Sequence, residues 1–223
     1  MSSSSATLKP QLSSPATGVV ITGGASGLGL ASARALAVVG RPVAIWDINA
    51  AKALAVAAEL SAEHGVAAIG IGLDIADPGA YADAIDRSRR ALGSIGGLVH
   101  AAGIVDIDSL EGVTPDHWDR GINIHLRPVA LLAKALLDDL KQHSGSAIVA
   151  FASINATMGN AVNPIYTAAK GGVLSLVRSL ADRLGRDGIR INSISPGQIL
   201  TPMLGRALWQ AGALLRRLRP RVV

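Results

Sequence analysis

Near its beginning the chain reads Gly18-Val-Val-Ile-Thr22-Gly23-Gly24-Ala25-Ser26-Gly27-Leu28-Gly29. The apolar residues up to Thr22 predict a buried strand, and the residues from Gly27 to Val39 predict the helix that follows it. Glycines at such a junction let the backbone turn sharply and approach a pyrophosphate, while the helix N-terminus offers N–H donors and a positive dipole. A glycine cluster alone is a weak signal, because glycine can serve backbone geometry only. Its place between a strand and a helix favours a dinucleotide-binding loop.

Strands and helices alternate along the rest of the chain. Further apolar runs predict five more strands, over about 42–47, 66–73, 97–102, 146–152 and 189–194. Capping residues predict helices that run from Asn49 to about His64, from Asp77-Pro78, from Thr114-Pro115 to about Gln142, and from Asn163-Pro164. Continuous apolar strands that alternate with helices indicate a parallel sheet covered on both faces. We therefore expect an α/β fold, a doubly wound, Rossmann-like sheet in a three-layer α/β/α domain.

The two ends of the chain differ in composition from its centre. Residues 1–16 are rich in serine and contain two prolines, so we expect a disordered tail. Residues 17–203 form the single predicted domain. All sixteen acidic residues lie at or before Asp187, together with fifteen Lys and Arg, whereas the other six basic residues are arginines from Arg190 onward. Residues 204–223 are thus an atypical arginine-rich tail, and the net charge of +5 comes from this end.

Composition also bears on function and location. No apolar run reaches the roughly 18 residues of a membrane span, and the polar start does not resemble a secretory signal. Zero cysteines exclude disulfides and thiolate chemistry and favour the reducing cytoplasm. Because the positive charge lies in the tail, we do not expect nucleic-acid binding. The scattered histidines form no metal-ligand set, so we expect no metal; they are His64, His117, His125 and His143.

Two aspartates follow predicted strands near the glycine loop. Asp47 ends the second strand, about eighteen residues beyond Gly29, where a carboxylate accepts bonds from an adenosine ribose and repels a 2′-phosphate. This position favours NAD over NADP. Asp74 follows the third strand, and with Ile75 it is expected to lie near the adenine. The structural alternatives are that Asp47 only caps a strand and that Asp74 is a turn acid.

Tyr166 and Lys170 stand four residues apart, thirteen residues after Ser153. Residues at this spacing share one face of a helix, so the ammonium can stand beside the phenol ring. A neighbouring cation favours phenolate and brings the pKa of a tyrosine towards the working range of a proton carrier. Taken alone, such a pair is more often a solvated pair on a helix surface, and Ser153 alone is more often an ordinary loop serine.

With these residues in place, the chain resembles the classical short-chain dehydrogenase/reductase family from about Gly18 to Met203. Several separated motifs carry the resemblance, and their order and spacing are specific. They are the loop Thr22–Gly29, Asp47, Asp74, His100-Ala101-Ala102-Gly103, Asn123, Ser153, Tyr166-x-x-x-Lys170, and Pro196-Gly197 followed by Thr201.

The resemblance implies an oxidoreductase that moves a hydride between NAD and a secondary alcohol or ketone. Tyr166 would be the general acid or base, Ser153 would hold the substrate oxygen, and Lys170 would lower the pKa of Tyr166 and bind the nicotinamide ribose. Asn123 would hold a water in a proton relay, although a mid-helix asparagine can also face solvent. The implied cofactor contacts are Gly23, Ser26, Gly27, Leu28, Gly29, Asp47, Asp74, Ile75, Ala102, Gly103, Tyr166, Lys170, Pro196, Gly197 and Thr201.

The chain departs from the family pattern in two places. His100 stands where the family usually has asparagine, and we interpret it as a structural variant that still hydrogen-bonds across the strands. After Met203 only about twenty residues follow, so we expect the last strand of the family to be missing, by truncation or frame shift. The sixth strand would then be an uncovered edge, and a homodimer or tetramer would depend on completion of that edge. An arginine-rich helix on an acidic membrane surface is the other reading of this tail.

Two alternatives to an active oxidoreductase remain open from the sequence. One is a dinucleotide-binding protein with little turnover, because the segment that covers the substrate is missing. The other is a surface-binding module that uses the arginine-rich tail. The substrate itself cannot be read, although Ala156, Met158 and Val162 favour an apolar ligand.

Overall fold

The computed structural model of the protein describes residues 16–203 and residue 205. Six strands form one sheet, and every neighbouring pair is parallel, in the order β3-β2-β1-β4-β5-β6. The strands are β1 (Gly18–Thr22), β2 (Val43–Asp47), β3 (Ala68–Gly72), β4 (Ile95–His100), β5 (Ala147–Phe151) and β6 (Arg190–Ile194). The doubly wound parallel sheet is therefore confirmed. The expectations for 1–15, 204 and 206–223 lie outside the described residues.

Helices cover both faces of this sheet. They are α1 (Gly27–Val38), α2 (Ala50–His64), α3 (Tyr81–Leu92), α4 (Pro115–His125), α5 (Arg127–Ala135), α6 (Leu137–Lys141), α7 (Asn155–Met158) and α8 (Pro164–Gly185), with short 3-10 turns at Pro78–Ala80 and Leu110–Gly112. Three of the predicted caps are present: Asn49 accepts the N–H of Lys52, Asp77 that of Gly79, and Thr114 that of His117. Local sequence therefore determines where these helices begin.

Side chains that alternate along the strands build two separate cores. Val19, Ile21 and Ile45 point to one face and pack with α1 and α2. Val20 and Trp46 point to the other face and pack with residues of α3, α4, α5, α6 and α8. This alternation follows from the two-residue period of a strand. The sheet is thus the middle of three layers, as predicted.

The predicted long helix from Thr114 to Gln142 is wrong, because the structure divides it into α4, α5 and α6. The first break falls at Leu126, two residues before Pro128. A proline lacks the N–H that would bond to the carbonyl oxygen four residues earlier, and its ring crowds that carbonyl. The carbonyl oxygen of Ile124 is thereby released from the helix, and it accepts a hydrogen bond from His100 instead, at 3.1 Å.

One ion pair ties two helices of the same face together. The guanidinium of Arg89 on α3 donates from Nε and Nη2 to the two carboxylate oxygens of Asp139 on α6, at 2.8 and 2.9 Å. The Asp139 side chain is only 10% exposed. Two parallel bonds from one guanidinium to one carboxylate are among the stronger hydrogen bonds in proteins.

We predict that Asp139→Ala lowers the free energy of unfolding by about 1–3 kcal/mol, because the two hydrogen bonds between α3 and α6 are lost and Arg89 keeps only its pair with Asp86 on its own helix. Urea denaturation measures this change. Asp182→Ala is the matched control: Asp182 pairs with Arg186 on one helix with both side chains more than 70% exposed, and its loss should cost about 0.5 kcal/mol or less. Equal losses in the two variants would contradict the prediction.

Candidate active site

The candidate site residues collect at one edge of the sheet. In a parallel sheet all strands end at the same edge, and ligands bind there where the strand order reverses. Here the reversal lies between β1 and its neighbour β4. Most of the predicted cofactor and catalytic residues end a strand or follow one. They are Gly23, Asp47, Asp74, Ile75, Ala102, Gly103, Ser153, Pro196, Gly197 and Thr201. The structure thus places them along a single edge.

The glycine loop brings two backbone segments into direct contact at this reversal. Gly23 has a φ of +64°, and a Cβ atom there would lie 2.7 Å from the Cα atom of Ala102. A Cβ atom on Gly29 would lie 2.2 Å from the carbonyl oxygen of Gly23. Any side chain at either position would push the loop away from β4 or from α1. The loop therefore requires glycine for close approach, which is what a bound pyrophosphate also requires.

The N-terminus of α1 follows directly from this loop and has no side-chain cap. Ser26 caps the helix in an extended conformation without a side-chain cap bond, and the first turn contains no acidic residue. The backbone N–H groups from Gly27 to Gly29 are therefore not taken by a capping side chain. Thr201 lies close by, since a Cβ atom on Gly27 would be 3.3 Å from its Cγ2 atom. These features fit the phosphates of a dinucleotide.

The two aspartates have different surroundings. Asp47 is half-buried at the end of β2, where one carboxylate oxygen accepts the N–H of Ala25 at 3.1 Å and the other that of Asn49 at 3.0 Å. It therefore anchors the glycine loop, in addition to any contact with a ribose. Asp74 lies two residues beyond β3, is exposed, and accepts the N–H of Ala76 at 2.9 Å. It forms a local turn, and Ile75 beside it is buried.

His100 takes part in a buried chain of hydrogen bonds behind the loop. Its Nε2 atom donates to the carbonyl oxygen of Ile124, so its Nδ1 atom accepts from the hydroxyl of Thr22, at 2.8 Å. The same hydroxyl oxygen accepts the N–H of Ala102 at 3.3 Å. Burial, and to a smaller extent the charge of Lys170, lower the pKa of His100 to about 3. The residue is therefore a neutral bridge between β1, β4 and α4.

Tyr166 and Lys170 share one face of α8, as the spacing predicts. The Lys170 Nζ atom lies 5.6 Å from the centre of the Tyr166 ring. It donates to the carbonyl oxygen of Phe151, the last residue of β5. Lys170 is 4% exposed, whereas Tyr166 is half-buried. Burial lowers the pKa of Lys170 from 10.5 to about 7.

The structure places the other two candidate catalytic residues on neighbouring elements. Ser153 lies two residues after Phe151, is buried, and accepts the N–H of Asn155 at 3.2 Å. Its hydroxyl hydrogen is not used in that bond. Asn123 lies in the last turns of α4 and is half-buried. Ser153 thus lies at the carboxyl edge of the sheet, and Asn123 lies on a helix that packs against α8.

Two further residues touch the Tyr166 region and carry no local sign in the sequence. The ring of His125 meets the Tyr166 ring edge to face, with 5.2 Å between their centres. Its Nε2 atom lies 2.8 Å from the carbonyl oxygen and 3.2 Å from the backbone nitrogen of Ile104, so it donates to the former or accepts from the latter according to the tautomer. Its buried Nδ1 atom has no hydrogen-bond partner within the described part of the chain. Asp106 accepts the backbone N–H of Tyr166 at 2.9 Å. Both contacts span more than 40 residues, so no short motif reveals them.

Within residues 16–203 and 205, no group of three or more His, Cys, Asp or Glu side chains is arranged to hold a metal ion. In the same part of the chain, none of the helices is both long and apolar enough to span a bilayer.

Comparison with known proteins identifies the family. The family model for the short chain dehydrogenase matches residues 17–210. The chain is 36% identical over 204 residues to a protein named probable galactose dehydrogenase from Rhizobium meliloti (strain 1021), which covers 92% of this chain and 79% of that protein. The chain therefore belongs to the short-chain dehydrogenase family, whose members are oxidoreductases acting on alcohols or ketones.

Solved structures agree in fold with this chain. L-sorbose reductase from Gluconobacter frateurii, solved with NADPH and L-sorbose, has a TM-score of 0.83 and 27% identity, over 88% of this chain and 75% of that one. A 3-ketoacyl-(acyl-carrier-protein) reductase from Brucella melitensis, solved with NADH, has a TM-score of 0.79 and 28% identity, over 89% and 90%. The two neighbours hold different nicotinamide cofactors.

We predict that Lys170→Met changes the pH dependence of stability. Because burial lowers the pKa of Lys170 from 10.5 to about 7, the unfolded chain binds a proton between these values that the folded chain does not. Wild-type stability should therefore rise with pH through this window, by about 2 kcal/mol between pH 7 and 9 on this account. The variant should lack that rise.

Urea unfolding at pH 7, 8 and 9 measures both proteins. Lys134→Met is the control, since Lys134 is an exposed lysine of α5, and it should follow the wild-type slope. Parallel slopes for wild type and Lys170→Met would show that the buried amine does not govern stability in this range.

Proposed function

We propose that the protein is an NAD-dependent oxidoreductase that interconverts a secondary alcohol and a ketone, with Tyr166 as the general acid or base. The observation that carries this proposal is the position of the Lys170 ammonium, 5.6 Å from the Tyr166 ring centre and bonded to the end of β5. A proton carrier and a buried cation thus stand together, beside a glycine loop suited to phosphates. Few other functions require these three features at one edge of a sheet.

Each catalytic side chain has a distinct task in this proposal. The half-buried phenol of Tyr166 reaches the substrate oxygen, from which it takes a proton during oxidation and to which it returns one during reduction. Ser153 donates its hydroxyl hydrogen to the same oxygen, while its own oxygen accepts the N–H of Asn155. The oxygen is thereby held in one position while the proton moves.

Lys170 serves the phenol and the cofactor together. One of its N–H groups is bound to Phe151, and the others are available for ribose hydroxyls. Its pKa of about 7 lets it exchange protons near neutral pH. We propose that Asn123, half-buried on α4, holds a water through which such protons reach solvent.

The cofactor assignment follows from the fit of the edge to a dinucleotide. Bound NAD supplies the acceptor for the hydride that leaves the carbinol carbon. We assign the phosphates to Ser26, Gly27, Leu28 and Gly29, and the adenosine to Asp47, Asp74 and Ile75. The nicotinamide side then lies among Ala102, Gly103, Pro196, Gly197 and Thr201. The preference for NAD over NADP rests on the carboxylate of Asp47.

The test is the absorbance of NADH at 340 nm with purified protein and a panel of substrates. The panel contains D-galactose and L-sorbose, after the proteins that this chain resembles, and cyclohexanol as an apolar secondary alcohol. Cofactor binding without any absorbance change on the whole panel would favour a dinucleotide-binding protein without turnover, and would overturn the proposal.

We predict that Tyr166→Phe lowers kcat by about a thousandfold or more, because the hydroxyl assigned to exchange the substrate proton is removed. The affinity for NADH should change by less than about threefold, since the ring itself is retained. Tyr81→Phe is the control, as the Tyr81 hydroxyl donates to the carbonyl oxygen of Ile75 on another part of the edge. Strong residual activity in Tyr166→Phe would show that the proton carrier is misassigned.

We predict that Asp47→Asn reduces the preference for NAD over NADP by about tenfold or more, because the repulsion of a 2′-phosphate is lost. The asparagine retains one acceptor oxygen for the N–H of Ala25, so the anchor of the glycine loop is kept in part. The ratio of kcat/KM for the two cofactors measures the effect. Asp77→Asn makes the same charge change at a helix cap and should leave the ratio unchanged. An unaltered ratio in Asp47→Asn would remove the basis of the cofactor assignment.

A further inference from the structure

The helix that carries Tyr166 begins without a cap of its own. Asn163 precedes the first turn of α8, but its side chain makes no cap bond. Its Oδ1 atom instead accepts a hydrogen from Asn155, at 3.0 Å. Pro164 comes next and has no N–H. The first backbone donors of the helix are therefore those of Ile165 and Tyr166, which need partners from elsewhere in the chain.

Asp106 supplies both partners from a distant segment. Its Oδ1 atom accepts the N–H of Tyr166 at 2.9 Å, and its Oδ2 atom accepts that of Ile165 at 3.2 Å. Its carboxylate lies at the positive end of the helix dipole, where a negative charge is favourable. Because one rigid carboxylate accepts both hydrogen bonds, it fixes the rotation of the first turn about the helix axis and the distance of that turn from Asp106. Tyr166 is the residue of that turn whose backbone is held most directly.

The segment that carries Asp106 is itself held at both ends. At one end, the carbonyl oxygen of Ile104 is bonded to His125, whose ring packs edge to face on Tyr166. At the other end, Ser109 bonds through its N–H to the carbonyl oxygen of Val162 and through its hydroxyl to that of Ala161. Residues 104–109 thus form a strap across the beginning of α8, with Asp106 at its middle.

We propose that Asp106 is a positioning residue, which sets the Tyr166 phenol against Ser153 and Lys170. This inference rests on the proposed function, because it assigns a catalytic consequence to the cap. Asp106 acts through the backbone N–H of Tyr166, and we assign it no contact with substrate or cofactor. Its loss lets the first turn of α8 shift, and a displacement of about 1 Å in a reacting group can lower a rate by about a hundredfold.

The test compares Asp106→Ala and Asp106→Asn with matched changes at Asp77. Asp77 caps the short turn before α3 by accepting the N–H of Gly79 at 2.9 Å, so its loss removes a helix cap away from Tyr166. Steady-state kinetics with NAD give kcat and KM, urea denaturation gives stability, and hydrogen exchange by mass spectrometry follows the amides of Ile165 and Tyr166.

The expected results separate positioning from general destabilisation. Asp106→Ala should lower kcat by about 10- to 100-fold, change the KM for NAD by less than about twofold, and speed amide exchange at Ile165 and Tyr166. Asp106→Asn keeps one acceptor oxygen and should lie between Asp106→Ala and the wild type. Asp77→Ala should lose stability without a change in kcat.

Three outcomes overturn the inference. They are a wild-type kcat in Asp106→Ala, an equal fall in kcat in Asp77→Ala, and unchanged amide exchange at the start of α8. Failure of the proposed function is a different result, because the wild type would then neither reduce NAD nor oxidise NADH on the substrate panel. In that case the catalytic role of Asp106 fails with it, while faster exchange in the variant would still identify the cap.

Discussion

The site depends most on the buried hydrogen-bond chain from Ala102 through Thr22 and His100 to Ile124. It joins the ends of β1 and β4 to α4 at the point where the sheet order reverses. The last acceptor in this chain is the Ile124 carbonyl, which is unbonded within the helix because Pro128 has no N–H. The helix break thereby provides the acceptor for His100 at the end of β4. With both strand ends held in this way, Gly23 can lie against the backbone of Ala102. The geometry of the cofactor edge is therefore set by groups that need not touch a cofactor.

Three ionisable side chains around Tyr166 are buried at a cost in free energy, which the rest of the fold must offset. Burial lowers the pKa of Lys170, His100 and His125, so each binds fewer protons in the folded chain than in the unfolded one. For the histidines, the contribution to stability is complete above their ordinary value of 6.5 and is lost as the pH falls below it. For Lys170 the corresponding loss begins below 10.5 and is complete below about 7. All three effects have the same sign, and the two apolar cores that enclose the sheet must offset them. Burying an amine beside a phenol thus costs stability, which is typical of sites selected for function.

Sequence alone predicts the features whose causes are local. The strand pattern, the glycine loop and the caps at Asn49, Asp77 and Thr114 depend on neighbours within a few residues, and the structure has them where they were expected. The break at Pro128 was missed because the apolar pattern continues through it, and only the loss of one N–H interrupts the helix. Asp106 was missed for a different reason, because its partners lie about 60 residues away. The sequence around a loop aspartate does not indicate such distant partners. The roles of the site residues remain predictions, since they depend on contacts with a substrate and a cofactor and not on the fold alone.

The histidine at position 100 is compatible with the family's fold because an imidazole has two nitrogen atoms on opposite sides of one ring. It reaches Thr22 with one and Ile124 with the other, at 2.8 and 3.1 Å, and so spans the gap between a strand end and a helix. Both nitrogens are thereby occupied, and the side chain is fully buried. A base must exchange its proton with substrate or solvent, and His100 has no free nitrogen for either. Its low pKa, which in a cleft would mark a candidate catalytic group, is here the result of burial in a structural bridge. This agrees with our proposal, which assigns the proton chemistry of this edge to Tyr166 and Lys170 and not to His100.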